Sequence, residues 1–292
     1  MASGWVTTSS LSDSLDDVRS AARIVREQVG NVSKLCDQVT LGEGIGTSWQ
    51  ELSYAQITAQ AVTENTELDN PQQFSDSLLS ITPNVVGIET FITDRVKARI
   101  NKKGLAQIGV LGQNAMERKK DEDCLTLFAS GASTCEPGAG GALTAGHIAA
   151  AAKNISSDAT EPGPDPIRCV LHGFQIKDLF DELVAGVGTY VVSEGPTADV
   201  FKKGFTLPIA GCEVYEDGHI AIDGNDDARG AVFSKMAIVK VQGRAPRMVT
   251  VRNEKRGGGG EHVYHYDEYA YGERSSGNWL YSMMSDAAQP TS

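Results

Sequence analysis

Residues 82–130 constrain the fold of this chain more than any other stretch. The first part, from Asn84 to Thr93, is rich in valine, isoleucine and phenylalanine and favours an extended conformation. From about Gly104 onwards, apolar residues recur at three-and-four spacing, which predicts one helix of about 25 residues, roughly 37 Å long. The predicted apolar face consists of Leu105, Ile108, Leu111 or Gly112, Ala115, Leu125 and Phe128.

The centre of this predicted helix carries the charged run ERKKDED at residues 117–123. Opposite charges in this run are spaced for contact one helical turn apart. The expected pairs are Glu117–Lys120, Arg118–Glu122 and Lys119–Asp123. The sequence therefore predicts a long helix that is apolar at both ends and solvated in the middle.

Composition limits the classes of function. The 292 residues suffice for one large or two modest domains, and the net charge of −12, from 26 basic and 38 acidic side chains, argues against wrapping of nucleic acid by the protein as a whole. The five cysteines are widely spaced without a CxxC pair, which predicts free thiols in a reducing environment. The polar start of the chain indicates that it has no signal peptide, and the lack of a long apolar run indicates that it has no membrane span. We therefore expect a protein that is cytosolic when it is made.

The residues before the long helix predict an arm and a projecting hairpin. Residues 1–45 begin with a polar segment, and LSDSLDDVRSAARIVREQV offers a short amphipathic helix. The two strand-like runs SWQELSYAQITAQAV and SLLSITPNVVGIETFI then flank a polar, acidic segment with a turn at Asn70–Pro71. The polar centre is unsuited to a core, so we expect a long hairpin whose tip contacts something else.

The residues after the long helix predict a small α/β domain and further strands. We predict a helix over HIAAAAKNI, capped by Thr144 or a neighbour, and a buried strand over IRCVLH. A second helix is predicted over FQIKDLFDELVAG, and Gly186 is expected to close it. Further strands are predicted over MAIVKV, RMVTVRNEK and the aromatic C-terminal segment.

Potential metal sites in the sequence are weak. His262 and His265 lie three apart on a predicted strand, so they point to opposite faces and do not share a metal. The acidic loop with Asp223, Asp226 and Asp227 lacks the spacing of a calcium loop and reads as a solvated turn.

Catalytic and phosphate-binding patterns are equally weak. Cys169 stands near His172 and Asp178 but belongs to a predicted buried strand, where cysteine behaves as a small hydrophobe. The glycine runs at 138–141 and 257–260 match no phosphate-binding pattern and read as linkers. We therefore assign no catalytic, cofactor-binding or metal-binding residue, and we expect a structural protein and not an enzyme.

The order of these features is similar to that in the major capsid proteins of tailed double-stranded DNA phages, which have the Hong Kong 97-type fold. The resemblance runs from about Ile45 to Met284 and rests on order and composition. The stretches that carry it are TAQAVTENTEL with SLLSITPNVVGIETFITDRV, GLAQIGVLGQNAMERKKDEDCLTLFASGA, LTAGHIAAAAKNI with PIRCVLHGFQIKDLFDEL, TLPIAGCEVYE with GAVFSKMAIVKV, and YAYGERSSGNWLYSMMSD.

The resemblance implies an α+β fold with an N-terminal arm, an extended β-hairpin loop, a peripheral domain with a long spine helix (about 104–130), and an axial α/β domain. The implied boundaries are residues 1–45 for the arm, 46–92 for the extended loop, 93–141 for the peripheral domain with the spine helix, 142–230 for the axial domain, and 231–292 for the return strands of the peripheral domain.

The resemblance also implies a function, partners and a location. The chain would assemble with itself as hexamers and pentamers into an icosahedral shell around phage double-stranded DNA, without sequence-specific DNA binding and without a membrane. Portal and separate scaffolding or decoration proteins would be further partners, and the virion capsid, assembled in the host cytoplasm, would be the location. The alternative is an encapsulin-type nanocompartment, a shell around protein cargo, and an α/β enzyme is the distant rival.

Overall fold

The computed structural model describes residues 30–44, 46–65, 71–99, 102–187, 208–255, 258–275 and 277–290. Within these ranges the helices are α1 (Val32–Leu35), α2 (Asp94–Arg99), α3 (Lys102–Leu125), α4 (Ala145–Ser156) and α5 (Gly173–Val187). The strands are β1 (Asp37–Thr40), β2 (Trp49–Tyr54), β3 (Asp76–Ile81), β4 (Asn84–Thr93), β5 (Ile167–Leu171), β6 (Glu213–Glu216), β7 (Asp227–Ser234), β8 (Ile238–Gln242), β9 (Arg247–Asn253), β10 (Gly260–Glu273) and β11 (Leu280–Asp286). The chain is thus an α+β protein, as predicted. Among the described helices, none combines the length and apolar character needed to cross a lipid bilayer.

The chain divides into two compact units. The described part of unit 1 lies in Gly87–Glu117 and Pro246–Tyr266, and that of unit 2 in Gln28–Val86, Arg118–Ala245 and Asp267–Ser292. In unit 1, β9 pairs with residues 260–266 of β10 in antiparallel register. The sheet to which these strands belong also includes β4.

Unit 2 contains a four-stranded sheet in the order β11-β7-β5-β6, in which only β5 and β6 are parallel. One face of α4 packs on this sheet because its apolar residues recur at helical spacing. The resulting cluster includes Ile148, Ala151, Ala152 and Ile155 from the helix, with Ile167, Cys169 and Leu171 from β5. The predicted strand at residues 167–172 and the predicted helices on either side of it are confirmed, except that α5 continues through Gly186 to Val187, so Gly186 does not close the helix.

The predicted cap of α4 is also confirmed. Thr144 is the N-cap residue, and its side chain forms a reciprocal capping arrangement with His147. The Thr144 hydroxyl lies 2.8 Å from Nδ1 of His147, and the same ring nitrogen accepts the Thr144 backbone N–H at 3.2 Å. The imidazole here takes the place that glutamate or glutamine holds in the usual capping box.

The predicted hairpin is confirmed in part by the pairing of β2 with β3, but residues 84–92 of the second predicted run belong to β4, which pairs with β10 in another sheet. Strands β2 and β3 are antiparallel, with Trp49 opposite Ile81 and Tyr54 opposite Asp76. Unit 2 also contains a parallel pair between β1 and β8, and β8 pairs with residues 269–273 of β10. The amphipathic helix predicted within residues 1–45 falls on residues 11–29, outside the described residues.

The long helix is confirmed as α3, which ends at Leu125 and continues into a 3-10 turn at Thr126–Ser130. The short helix α2 ahead of it was not predicted from the sequence. Of the two alternatives for the apolar face, the structure buries Gly112, whereas Leu111 is 43% exposed. The side chains of Leu105 and Ile108 lie outside the described part.

The predicted solvation of the middle of α3 is wrong on one side of the helix. Buried positions recur every fourth residue, and the charged run contributes Lys120 and its neighbour Asp121 to the buried side. The predicted pairs Arg118–Glu122 and Lys119–Asp123 form on the outer side, at 3.7 Å and 2.6 Å. Lys120, however, pairs with Asp267 of β10, so hydropathy alone misassigned this turn of the helix.

Candidate assembly surfaces and buried polar clusters

The β2–β3 hairpin has two chemically different faces because side chains alternate along each strand. Residues that are paired across the hairpin share a face. The inner face carries Trp49, Glu51, Leu79 and Ile81, and the outer face carries Leu52, Tyr54, Leu78 and Ser80. The inner face packs on a small core cluster formed with Val239 and Val241 of β8.

The outer face exposes apolar side chains to solvent. Leu52 and Leu78 are directly opposite each other, and they are 53% and 57% exposed. Tyr54 on the same face is 69% exposed, and the segment beyond the strands exposes Ile57 and Phe74. Contiguous apolar groups of this kind on a folded subunit are typical of protein–protein contacts.

Arg274 fixes the base of the hairpin. Its guanidinium contacts Asp37 of β1 and Glu51 of β2, each at 2.7 Å, and donates to the Met236 carbonyl at 3.0 Å. The same group lies 5.9 Å from the centre of the Trp49 ring. A planar cation with several donors is suited to this position because it bonds three partners at once. Arg274 thereby ties β2 to β1 and to the turn before β8.

Unit 1 presents a second candidate contact surface, and its exposed side chains lie on β9. Next to it on β10, the rings of His262, Tyr264 and Tyr266 stack with centroids 5.8 Å and 5.6 Å apart, and His262 is buried while the two tyrosines are half-buried. Within the described chain, β9 pairs only with β10, and it exposes Met248 and Val251. A strand that is open on one side and carries exposed apolar groups is a candidate contact surface.

A buried polar cluster in unit 2 combines Asp121 of α3 with Asp217 and His219, which follow β6. Nδ1 of His219 lies 3.2 Å from Asp121 Oδ2 and 3.7 Å from Asp217 Oδ1. Both carboxylates are at most 1% exposed. Burial raises the pKa of Asp121 to about 6, and the neighbouring Asp217 adds to this increase, while His219 and the Ser33 backbone oppose it.

This polar cluster binds the first described residues of the chain. The Ser33 N–H donates to Asp121 at 3.3 Å, and the Asn31 N–H donates to Asp217 at 3.0 Å. A Cβ added at Gly30 would lie only 2.3 Å from the Asp121 carboxyl carbon, so glycine permits this close approach. The cluster therefore anchors the chain at residues 30–33.

The same cluster offers a donor set that suits a divalent cation. One ligand atom from each of Asp121, Asp217 and His219 lies within 4.8 Å of the others. No pattern in the sequence indicates this arrangement, because 96 positions separate Asp121 from Asp217. Only the pairing of distant elements brings the three side chains together.

The two histidines of the H-x-x-H pattern have separate surroundings. His262 contacts Glu89 through Nδ1, and its Nε2 lies 3.1 Å from the Asn253 amide nitrogen. His265 belongs to the opposite face of β10, and its Nε2 lies 2.7 Å from the position that a Cβ at Gly112 would take. The two imidazoles therefore do not converge, in agreement with the sequence-based interpretation.

The acidic loop is only partly a solvated turn. Asp223 is exposed and accepts the backbone N–H groups of Asn225 and Asp227 at 2.8 Å and 3.0 Å. Asp227, in contrast, is 3% exposed and accepts the Gly140 N–H at 2.7 Å. Its predicted solvation is wrong because it helps to hold the loop at residues 137–141.

The set Cys169, His172 and Asp178 does not form a catalytic group. Cys169 is fully buried in β5, and burial raises the pKa of its thiol. The His172 ring accepts the Phe174 N–H at 3.2 Å, and the Asp178 carboxyl accepts a backbone hydrogen bond from Leu143. All five cysteines are free thiols, as predicted.

Solved structures share this architecture over nearly the whole chain. A chain from the head structure of Helicobacter pylori bacteriophage KHP40 superposes with a TM-score of 0.72 at 10% identity, covering 98% of this chain and 100% of that chain. A chain from the capsid structure of cyanophage P-SCSP1u gives a TM-score of 0.68 at 16% identity, with 92% of each chain covered. The chain has the fold of phage capsid proteins.

The capsid fold is also present in the capsid asymmetric unit of cyanophage Pam1, where the TM-score is 0.67 at 11% identity and the coverage is 99% of this chain and 100% of that chain. No protein-family model and no curated protein sequence matches the chain. The capsid fold is therefore recognisable here through structure, at identities too low to align motifs residue by residue.

Proposed function

We propose that this protein is the major capsid protein of a tailed phage and assembles with itself into an icosahedral shell around double-stranded DNA. The observation that carries this proposal is the exposed apolar outer face of the β2–β3 hairpin, on a chain with the capsid fold. A hairpin that is anchored at its base by Arg274 and apolar on its free face is suited to lie on a neighbouring subunit. The assembled virion shell is then the location of the protein.

The proposed domain organisation follows the Hong Kong 97-type fold. Residues 1–45 are the N-terminal arm, 46–92 the extended loop, 93–141 the peripheral domain with the spine helix α3, 142–230 the axial domain, and 231–292 the return strands. The hairpin β2–β3 lies within the extended loop, which supports this division. The four-stranded sheet draws β5 and β6 from the axial segment and β11 from the return strands, with β7 crossing the boundary, so the two segments share one core.

The proposed partners are other copies of the chain, arranged as hexamers and pentamers. Portal and separate scaffolding or decoration proteins complete the assembly. The net charge of −12 is compatible with enclosing DNA, because packaged DNA is neutralised largely by its counterions and needs no basic lining. Like charge on the subunits also slows indiscriminate association before assembly.

Electron microscopy and sedimentation of the expressed protein test this function. The wild type should form capsomers or closed shells, whereas the double variant Leu52→Ser/Leu78→Ser should stay as smaller species. Met236→Ser is the matched control, since it removes another exposed apolar side chain, outside the hairpin, and should assemble normally. Circular dichroism should show that all three proteins are folded.

Three results would contradict the proposal. A wild type that is monomeric under every concentration and salt condition tried would exclude a shell protein. Normal shells from the double variant would exclude the role of the outer hairpin face. Particles from the natural source that enclose protein cargo instead of DNA would point to an encapsulin-type compartment.

A further inference from the structure

Two buried thiols from distant parts of the sequence lie in contact in unit 2. The Sγ atoms of Cys36 and Cys124 are 3.4 Å apart, although 88 positions separate the residues in the chain. Both side chains belong to the same core cluster and are at most 2% exposed. A disulfide holds its sulfur atoms about 2.05 Å apart, so the two atoms need to approach by little more than 1 Å.

The two thiols connect functionally different segments. Cys36 follows the four-residue helix α1 and precedes β1, within the segment that we propose as the end of the arm. Cys124 lies in the last turn of the long helix α3. A bond between them would attach the root of the arm covalently to the helix, beside the hydrogen bonds from residues 31 and 33 to Asp217 and Asp121.

We propose that Cys36 and Cys124 are a redox modification site that forms an intramolecular disulfide when the protein meets a small disulfide oxidant such as oxidised glutathione. One cysteine thiolate attacks a sulfur atom of the oxidant and breaks the S–S bond of the oxidant. One half of the oxidant stays bound to the protein in a mixed disulfide, and the other half leaves as a thiol. The second cysteine thiolate then attacks the protein sulfur of that mixed disulfide, so the Cys36–Cys124 bond forms and the second oxidant thiol leaves. The two cysteine protons end on the two released thiols, and the two electrons end on the oxidant.

Access for the oxidant determines the rate of this reaction. Burial and the neighbouring Cys36 thiol raise the pKa of Cys124, so its thiolate is scarce while the cluster is closed. Opening of the short helix α1 exposes Cys36 without unfolding a sheet, because α1 has only four residues. The reaction is therefore slow and limited by local opening, and reduction of the product is slowed in the same way once the cluster closes again.

A second thiol pair makes a useful internal comparison. Cys169 and Cys212 also contact each other, since a hydrogen bond between their side chains contributes to the raised pKa of Cys169. Both are fully buried, and Cys169 lies within β5, which is paired with a strand on each side. Cys169 is held inside the four-stranded sheet, whereas neither Cys36 nor Cys124 belongs to a strand, so Cys36–Cys124 should oxidise first.

Peptide mass spectrometry tests the proposal directly. No lysine or arginine separates Cys124 from Cys135, so the experiment uses the Cys135→Ser variant, in which each tryptic peptide at issue carries one cysteine. The folded protein is incubated with oxidised glutathione, alkylated, and digested with trypsin without reduction. We expect peptides 35–95 and 121–153 to appear joined, with a combined mass two hydrogens below their sum.

A functional readout accompanies the mass measurement. The oxidised protein should melt at a higher temperature than the reduced protein, and dithiothreitol should reverse the difference. In Cys36→Ala/Cys135→Ser the same treatment should leave the melting temperature unchanged, and Cys124→Ala/Cys135→Ser provides a second variant if the first does not fold.

Two outcomes would overturn the inference. In one, Cys36 and Cys124 are both recovered alkylated after the oxidant has modified other thiols. In the other, the first linked peptides are those of Cys169 and Cys212. Because these measurements use unassembled subunits, their result is independent of whether the protein forms shells.

Discussion

Lys120 of α3 and Asp267 of β10 form an ion pair inside unit 2, with 2.6 Å between Nζ and Oδ2 and side-chain exposures of 5% and 1%. The other carboxylate oxygen of Asp267 accepts hydrogen bonds from the Gln242 side chain and from the Glu268 N–H. A buried carboxylate that loses its cation retains the cost of desolvation. Packing of α3 against β10 is therefore favourable only when Lys120 and Asp267 face each other.

Substitution of Lys120 by methionine should lower the free energy of unfolding by about 3–5 kcal/mol, because it leaves the Asp267 charge buried without its cation. Lys120→Met/Asp267→Asn should recover most of this loss, since asparagine removes the charge and still accepts both hydrogen bonds. Lys119→Met is the control, because the exposed Lys119–Asp123 pair should contribute less than about 1 kcal/mol. Urea unfolding measures all three, and a double variant no more stable than the single variant would contradict the argument.

Two glycines in the first half of α3 should respond to alanine in opposite directions. A Cβ at Gly109 meets nothing within 4 Å, so Gly109→Ala should stabilise the protein by about 0.5–1 kcal/mol through helix propensity. A Cβ at Gly112 would lie 2.7 Å from His265 Nε2, so Gly112→Ala should be destabilising by about 1–2 kcal/mol because the imidazole must move. Thermal unfolding of the two variants provides the test, and an equal gain in both would show that His265 yields freely.

Loss of Arg274 should loosen the hairpin at its base. Arg274→Ala removes the contacts with Asp37 and Glu51 and should destabilise unit 2 by about 2–3 kcal/mol. Arg274→Lys should give an intermediate loss, since a single ammonium group cannot reproduce the planar set of donors. Hydrogen exchange of the amides in β2 and β3 measures the effect locally. Exchange at the wild-type rate in Arg274→Ala would show that the hairpin is held by its apolar inner face alone.

The Asp121 carboxyl should make the stability depend on pH in a definite direction. Its pKa in the folded protein is raised to about 6, above the ordinary value of 3.8 that applies to the unfolded chain. Between these two values the folded protein binds a proton that the unfolded chain does not, so this group's contribution to stability increases as the pH falls from about 7 to about 4. The contribution amounts to about 3 kcal/mol, from a shift of roughly two pKa units.

Asp121→Asn isolates this contribution. The amide oxygen of asparagine still accepts the Ser33 N–H, but it does not titrate, and Asp217 and His219 stay in place. The difference in unfolding free energy between wild type and variant should therefore shift in favour of the wild type as the pH is lowered from 7 to 4. A difference that is constant across this range would mean that the Asp121 pKa is unperturbed.

Local patterns were sufficient to predict the hairpin, the long helix and the helix–strand–helix order around β5. Each of these elements buries one face against the rest of the subunit, so its hydrophobic period is visible in the sequence. The ends of elements were less accurate, and the short helix α2 was not predicted, because six residues contain too few turns to show a period.

The buried polar contacts were not predictable from local patterns. Lys120 and Asp121 stand in a charged run that reads as a solvated helix surface, and their partners Asp267 and His219 lie far away in the sequence. The same holds for the contact between Cys36 and Cys124, since nothing near either residue indicates a partner. Hydropathy describes the average tendency of a side chain to be buried or exposed. Burial at these positions depends instead on a specific partner residue that the tertiary structure brings close.

The alternation along the β2–β3 hairpin also limits how this protein can change over time. Insertion of a single residue in either strand would turn every following side chain to the opposite face, exchanging Leu79 and Ile81 with Leu78 and Ser80. Length changes within the strands should therefore be rare among natural variants, whereas residues 55–75 between them can lengthen or shorten without shifting the register. Genomes that encode related chains should vary in size at this tip and keep both strands constant in length.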